Sequence, residues 1–334
     1  MNNKKGLPIP LIAGIFVLGL IMVLSMFGMQ VAQEKRAEAP KETEEVAGGE
    51  ETTAPAPVAG GKIAHNPPSL DDVPEGPLGE AILRGYELTN NTSEVLRSEA
   101  ATPEDGEKLV NELSCTSCHA GAGMDEHSSS MVGVSAVYPM YIPRSGKIVT
   151  LEDRINGCMI RSMNGQKFEP NDPDLKAMVA YLTYISEGIP VGAELDWRHL
   201  NNMDDVPVPD VDAGEQLYNQ SCIACHAGDG SGTGSNTGPA LWGSGSFNDG
   251  AGLARMGKMA AYIQRNMPIG QENSLSDQEA ADLAAFILSQ DRDSYPTPEK
   301  DWPNGDRPSD IMDKEKRDQV KNGTIDWNEV LGKN

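Results

Sequence analysis

Aromatic side chains are scarce in this sequence. They make up 5% of the 334 residues, and apolar residues together reach only 38%. A chain of this length suits two or three modules, and it is short of core material for them. Positive charge is scarce as well, with 27 lysines and arginines against 50 aspartates and glutamates and a formal net charge of −23. That balance argues against nucleic acid as a partner and against peripheral docking on anionic lipid. It favours a basic protein partner, or simply a solvated acidic surface. Cysteine is limited to five residues, an odd number, and four of them fall in two short motifs.

The motifs are Cys115-Thr116-Ser117-Cys118-His119 and Cys222-Ile223-Ala224-Cys225-His226. C-x-x-C-H is the pattern of c-type haem attachment, in which two thiols bond to the haem vinyl groups and the adjoining histidine ligates the iron. Each motif follows a similar helix pattern and precedes a similar loop and helix, so two covalently bound haem c groups are expected. A zinc site or a disulfide suits isolated pairs ending in histidine poorly. Haem also supplies the apolar filling that the composition lacks. Attachment takes place outside the cytoplasm, where the fifth cysteine, Cys158, is open to oxidation. Cys158 therefore reads as an iron ligand, a reactive group or a buried structural thiol.

Residues 1–31 carry Lys4 and Lys5 and then an uncharged run from Leu7 to Met29. A helix from Leu11 to Met29 would be about 28 Å long, close to the thickness of a bilayer's hydrocarbon layer. It reads as an uncleaved transmembrane anchor with the lysines inside and the rest of the chain on the periplasmic side of a bacterial inner membrane. A cleaved signal peptide, leaving a free periplasmic protein, is the competing reading. Residues 32–77 are rich in Ala, Glu, Pro, Gly and Thr without apolar periodicity and read as a disordered linker.

The fold expected beyond the linker is all-α: two tandem class I cytochrome c domains behind the N-terminal transmembrane helix. The first domain is placed at 78–200, the second at 201–292, and 293–334 is a C-terminal extension that wraps back on them. Thr102, Pro103 and Asp105 start a helix that leads into Cys115. Asp172 and Pro173 start another, with Leu175, Met178, Val179 and Leu182 on one face. Ser276-Asp277-Gln278-Glu279 is a capping box before Ala280, Leu283, Ala284 and Ile287. The domains read as an internal duplication in which Gly214, Leu217 and Tyr218 correspond to Gly106, Leu109 and Val110.

Each iron keeps one axial position for a second side chain. In the second domain Met256, Lys258, Met259 and Met267 are available. Met267, followed by Pro268 shortly before the closing helix, is the expected ligand, with Met259 in reserve. Met163 is its counterpart in the first domain, and Cys158 competes with it. A thiolate donates more strongly and lowers the haem potential, whereas methionine raises it. His65, His127 and His199 sit at no motif position and read as surface residues. Around Cys158, Arg144, Lys147, Arg154, Arg161 and Lys167 outnumber Glu152 and Asp153 within an acidic protein. Arginine forks suit tetrahedral oxyanions, so this stretch is read as an anion site beside the haem. A solvated patch, or pairing with haem propionates, is the alternative.

The segment from Leu151 to Gly165 (LEDRINGCMIRSMNG), downstream of Tyr138-Pro139-Met140-Tyr141, resembles the dihaem thiosulfate dehydrogenases. Asn266-Met267-Pro268 and Asp301-Trp302-Pro303 extend the resemblance over roughly residues 78–310. It implies a c-type cytochrome that couples two thiosulfates to one tetrathionate, reversibly in some members, and passes two electrons to a cytochrome or terminal oxidase. Carried over by position, Cys158 is both distal haem ligand and active-site sulfur, and Arg144, Arg154 and Ser162 hold the sulfonate. Some relatives place a lysine before the distal methionine as an exchangeable ligand; Asn266 stands there in this chain. Two rival readings are a tethered dihaem electron carrier without enzymatic activity and a Sox-like subunit acting on protein-bound sulfur. The basic stretch argues against the plain carrier, which needs no anion site.

Overall fold

The computed structural model describes residues 62–333. The expected anchor at 1–31 and the linker as far as residue 61 lie outside the described residues. Within the described part no helix is long and apolar enough to cross a membrane. Its residues belong to one compact unit, mostly helical, and the longer helices are α1 (Pro77–Asn90), α2 (Thr92–Glu99), α3 (Pro103–Leu109), α4 (Leu151–Met159), α5 (Pro173–Tyr184), α6 (Val211–Ser221), α7 (Met256–Asn266), α8 (Asp277–Ser289) and α9 (Lys314–Lys321).

The helix starts follow their capping chemistry. The Thr102 hydroxyl accepts from the Asp105 N–H at 3.1 Å, and the Asp172 carboxylate accepts from the Asp174 N–H at 2.8 Å. Ser276 and Glu279 close a reciprocal capping box at the head of α8, which satisfies backbone donors that have no partner inside the helix. The apolar faces then bury as their spacing requires. On α8, Leu283 is 2% and Ile287 4% exposed, each contributing about 2 kcal/mol by leaving water.

Both domains cross their first and last helices at a glycine. A Cβ on Gly85 of α1 would lie 2.0 Å from the Ala177 carbonyl oxygen of α5, and one on Gly214 of α6 would lie 2.1 Å from that of Asp282 on α8. The helices can approach this closely only because neither position carries a side chain. The counterpart of Gly214 is therefore Gly85, and the expected match with Gly106 is corrected. Helices α2 and α3 are inserted between the crossing helix and the first Cys-x-x-Cys-His motif, and this lengthening hides the repeat.

The fold is not purely helical. Strands β1 (Met140–Ile142) and β2 (Lys147–Val149) pair antiparallel, Met140 opposite Val149 and Ile142 opposite Lys147. β-Branched and aromatic residues supply the pairing surface, and the turn closes where the Gly146 N–H donates to the Ile142 carbonyl at 3.0 Å.

The C-terminal extension does wrap back. The Met256 N–H donates to the Asp310 carbonyl and the Met312 N–H to that of Ala254, at 3.0 and 2.9 Å. Met312 is fully buried. Arg317, also buried, donates from Nη2 to the Arg292 carbonyl at 3.2 Å.

Candidate functional site

Two apolar-lined cavities lie back to back, sharing Leu113 and Cys118 in their walls. The first, about 210 Å³, is lined by Cys115, Cys118 and His119 and, from the opposite side, by Cys158 and Met163. The second, about 300 Å³, is lined by Cys222, Cys225 and His226 with Met259 and Met267. Met256 and Lys258 do not line it. Met256 is fully buried elsewhere, and the Asn266 amide is turned back to donate to the Tyr262 carbonyl at 2.9 Å.

The histidines are oriented by backbone carbonyls. Nδ1–H of His119 donates to Ser129 at 2.5 Å and Nδ1–H of His226 donates to Pro239 at 2.8 Å. This leaves the lone pair of each Nε2 free to ligate. Burial holds both imidazoles below their ordinary pKa, so they stay neutral and able to ligate. Burial acts oppositely on the thiols, raising Cys115 to about 11, Cys118 to about 12 and Cys222 to about 11. Thiols that resist ionisation suit thioether formation better than binding a metal as thiolates. Among the described residues no three His, Cys, Asp or Glu side chains converge to hold a bare ion. Two thiols, one preset imidazole and a facing sulfur in an apolar cavity fit haem c.

Cys158 sits in the last turn of α4, and Arg154 lies one turn earlier on the same face. The i, i+4 spacing stacks the guanidinium beside the sulfur. Charge on the Cys158 sulfur, above all, raises the Arg154 pKa further. Arg154 is exposed by surface area yet surrounded by protein, because the surface it presents is the cavity wall. Ser162, just past the helix, lines the same cavity, and its carbonyl accepts from Asn111 Nδ2 at 2.9 Å.

Arg144 is not brought to this cavity. Its Nη1 donates to the Gly250 carbonyl at 2.5 Å, its guanidinium lies 4.6 Å from the Trp302 ring centroid, and its Nε is 3.9 Å from Asp301. It lines a separate cavity of about 380 Å³ with Asp249, Trp302 and Arg307. Burial, reinforced by the charge of Arg161, lowers Arg144 to about 10. The reason for the displacement is the C-terminal extension, whose Trp302 N–H donates to the Arg144 carbonyl at 2.7 Å. The rest of the basic stretch also disperses: Arg161 pairs with Asp301, and Lys147 and Lys167 are exposed.

The structure adds residues that the sequence reading passed over. Arg198, which no motif or local charge run marks, lines the Cys158 cavity, and so does Tyr138, quoted above for the resemblance but given no role there. Of the spare histidines, Nε2 of His65 is 2.8 Å from the Ser130 hydroxyl and His127 is exposed; neither lines a haem cavity.

Two family descriptions match the chain: "SoxA/TsdA, cytochrome c domain" over residues 105–191, and "Cytochrome C oxidase, cbb3-type, subunit III" over residues 209–287. The thiosulfate dehydrogenase of Psychrobacter arcticus is 37% identical over 83% of this chain and 84% of its own length. That of Allochromatium vinosum is 38% identical over 72% of this chain and 88% of its own. Among solved structures, the as-isolated thiosulfate dehydrogenase TsdBA of Marichromatium purpuratum superposes with a TM-score of 0.62 at 33% identity. It covers 69% of this chain, which spans half the length of that one. A Cys158 cavity equipped for haem c, a second such cavity behind it, and this degree of identity over most of the length place the chain in the thiosulfate dehydrogenase family of c-type cytochromes.

Proposed function

We propose that thiosulfate is oxidised to tetrathionate in the cavity of Cys158. One observation carries this location: Cys158, Arg154 and Ser162 line the same cavity as the first Cys-x-x-Cys-His motif. Two haem c groups would be held, one by Cys115, Cys118, His119 and Cys158, the other by Cys222, Cys225, His226 and Met267. When bound, haem c supplies the one-electron redox couples that take up the electrons released in the reaction.

The chain's own residues account for the rest. Arg154 holds the sulfonate end by charge-assisted hydrogen bonds, and Ser162 offers a hydroxyl on the same side. The outer sulfur of thiosulfate then meets the Cys158 sulfur. A bond forms between the two sulfurs with loss of two electrons, leaving a cysteine S-thiosulfonate. A second thiosulfate attacks, through its own outer sulfur, the adduct sulfur bonded to Cys158, which breaks that bond, regenerates the Cys158 thiolate and releases tetrathionate. Two thiosulfates thus give one tetrathionate and two electrons, and the same steps run backwards in the presence of a reductant.

Electrons leave from the second cavity to a respiratory cytochrome or oxidase. The acidic composition suits a basic acceptor, with delivery fastest at low salt. We place the protein on the periplasmic side of the inner membrane, anchored by residues 1–31, or free in the periplasm if that segment is cleaved.

The decisive experiment uses the haem-loaded chain from residue 62 onward, mixed with thiosulfate and ferricyanide, and in the reverse sense with tetrathionate and a reduced dye. Tetrathionate formation at catalytic rates is expected. Its absence in both directions would leave the plain electron carrier, and activity only on sulfur carried by a partner protein would leave the Sox-like role.

A further inference from the structure

We propose that Arg198 is a second anion-binding residue of the Cys158 cavity and, together with Arg154, grips one oxyanion between two guanidinium forks. The proposal rests on the reaction site assigned above and extends it to a residue outside the basic stretch around Cys158.

Arg198 belongs to the short helical turn Asp196–His199. The turn is pinned by Trp197, which is 3% exposed and donates from Nε1 to the Val132 carbonyl at 2.9 Å. Val132 is itself part of the cavity wall, so the anchoring bond and the guanidinium belong to one rigid corner. Arg198 and Arg154 line the same cavity, and burial, then the charge of Arg154, lowers the Arg198 pKa. Among the described residues no carboxylate pairs with either, and the Tyr138 phenol is the remaining polar group acting on both. Two cations that share a partly buried cavity with no carboxylate paired to either repel each other and are poorly hydrated, and the charge on the Cys158 sulfur acts on Arg154. An oxyanion between them removes both costs, and a planar fork on each side satisfies its oxygens.

The order of the groups gives the ligand a direction. Arg154 stands one helical turn before Cys158 on α4, whereas Arg198 comes from the separate turn Asp196–His199. A ligand with sulfur at one end and oxygens at the other would point its sulfur at Cys158 and its oxygens at the two arginines. The oxyanion has two possible owners of the same chemistry: the sulfonate of the substrate, or a carboxylate of the haem.

The test uses the haem-loaded protein carrying Arg198→Gln and, separately, Arg198→Lys. Haem content is measured first, and Arg198→Lys carries the test if the glutamine variant fails to retain haem. The oxidised protein, which has no electrons to give tetrathionate, is then titrated with tetrathionate by calorimetry, and the midpoint potential of the Cys158-side haem is recorded against pH. If the owner is the sulfonate, Arg198→Gln weakens tetrathionate binding roughly tenfold, the loss of one charge-assisted bond. The thiosulfate KM rises by a similar factor, more than kcat falls, and lysine restores part of the loss. If the owner is the haem carboxylate, binding is kept and the midpoint potential falls with an altered pH dependence. Full haem content with neither change would overturn the proposal. A wild-type protein that forms no tetrathionate would instead sink the reaction assigned above, while the binding and potential measurements would still decide the role of Arg198.

Discussion

Arg161 and Asp301, 140 residues apart in sequence, meet in a two-pronged ion pair, with Nη1 2.8 Å from Oδ2 and Nη2 2.7 Å from Oδ1. Asp301 is 8% and Arg161 14% exposed at the side chain. Arg161 also stacks 3.9 Å from the Tyr295 ring centroid, and Arg144 lies over Trp302. The C-terminal extension thus holds both ends of the segment that carries the β-hairpin and Cys158.

Removing one partner of such a pair leaves the other buried and uncompensated. Asp301→Asn should therefore destabilise the protein by about 3 kcal/mol, whereas the double replacement Arg161→Met with Asp301→Leu should cost less than the single one. Chemical denaturation of the haem-loaded protein measures both. Equal loss in the single and double variants would show that the pair is only a surface contact.

Cys158 lies at the end of α4, outside both Cys-x-x-Cys-His motifs. Cys158→Gly should keep the full complement of thioether-linked haem, measured by pyridine haemochrome, while tetrathionate formation falls by roughly a thousandfold or more with loss of the nucleophile. Normal turnover in this variant would reduce Cys158 to a structural thiol.

The haem motifs, the capping residues and the apolar faces of α5 and α8 were legible because each depends on neighbours within a few residues. Cys158 and Arg154 were legible together because helical spacing alone joins them. Arg144, joined to them by the run of basic residues and by the resemblance, lines another cavity: its position is set by Trp302 and Gly250, which no nearby residue announces. Arg198 was missed for the converse reason, since it reaches the cavity through the Trp197 bond to a distant loop. Helix α1 was hidden by the insertion that separates Gly85 from its motif. What the sequence conceals in this chain is long-range closure, above all by the C-terminal extension.

Met259 and Met267 both line the second cavity, and they differ in attachment. Met259 is 3% exposed within α7, whereas Met267 ends that helix. Met267→Ala should abolish the weak methionine-to-iron absorption band at the red end of the visible spectrum and lower the haem potential, with little loss of stability. Met259→Ala should keep the band and destabilise the fold by about 2–4 kcal/mol through the cavity it leaves. The opposite pattern would assign Met259 as the ligand.

Asn248 couples the two domains at the Cys158 loop. It is 1% exposed, and its Nδ2 donates to the Ile160 carbonyl and to Asn164 Oδ1, both at 2.9 Å. Its backbone N–H donates to the Arg161 carbonyl at 3.1 Å, and its Oδ1 accepts from the Gly250 N–H at 3.0 Å. Leucine keeps the branched shape but is bulkier and satisfies none of the side-chain bonds. Asn248→Leu should then cost about 2–4 kcal/mol, because the buried groups left behind lose their partners. The loop carrying Cys158 and Ser162 should also loosen against the second domain. Thiosulfate turnover is therefore expected to fall about tenfold or more, since small misplacements of reacting groups weigh heavily on rate, while haem content stays full. Unchanged stability and turnover in Asn248→Leu would show that the loop holds its geometry without the second domain.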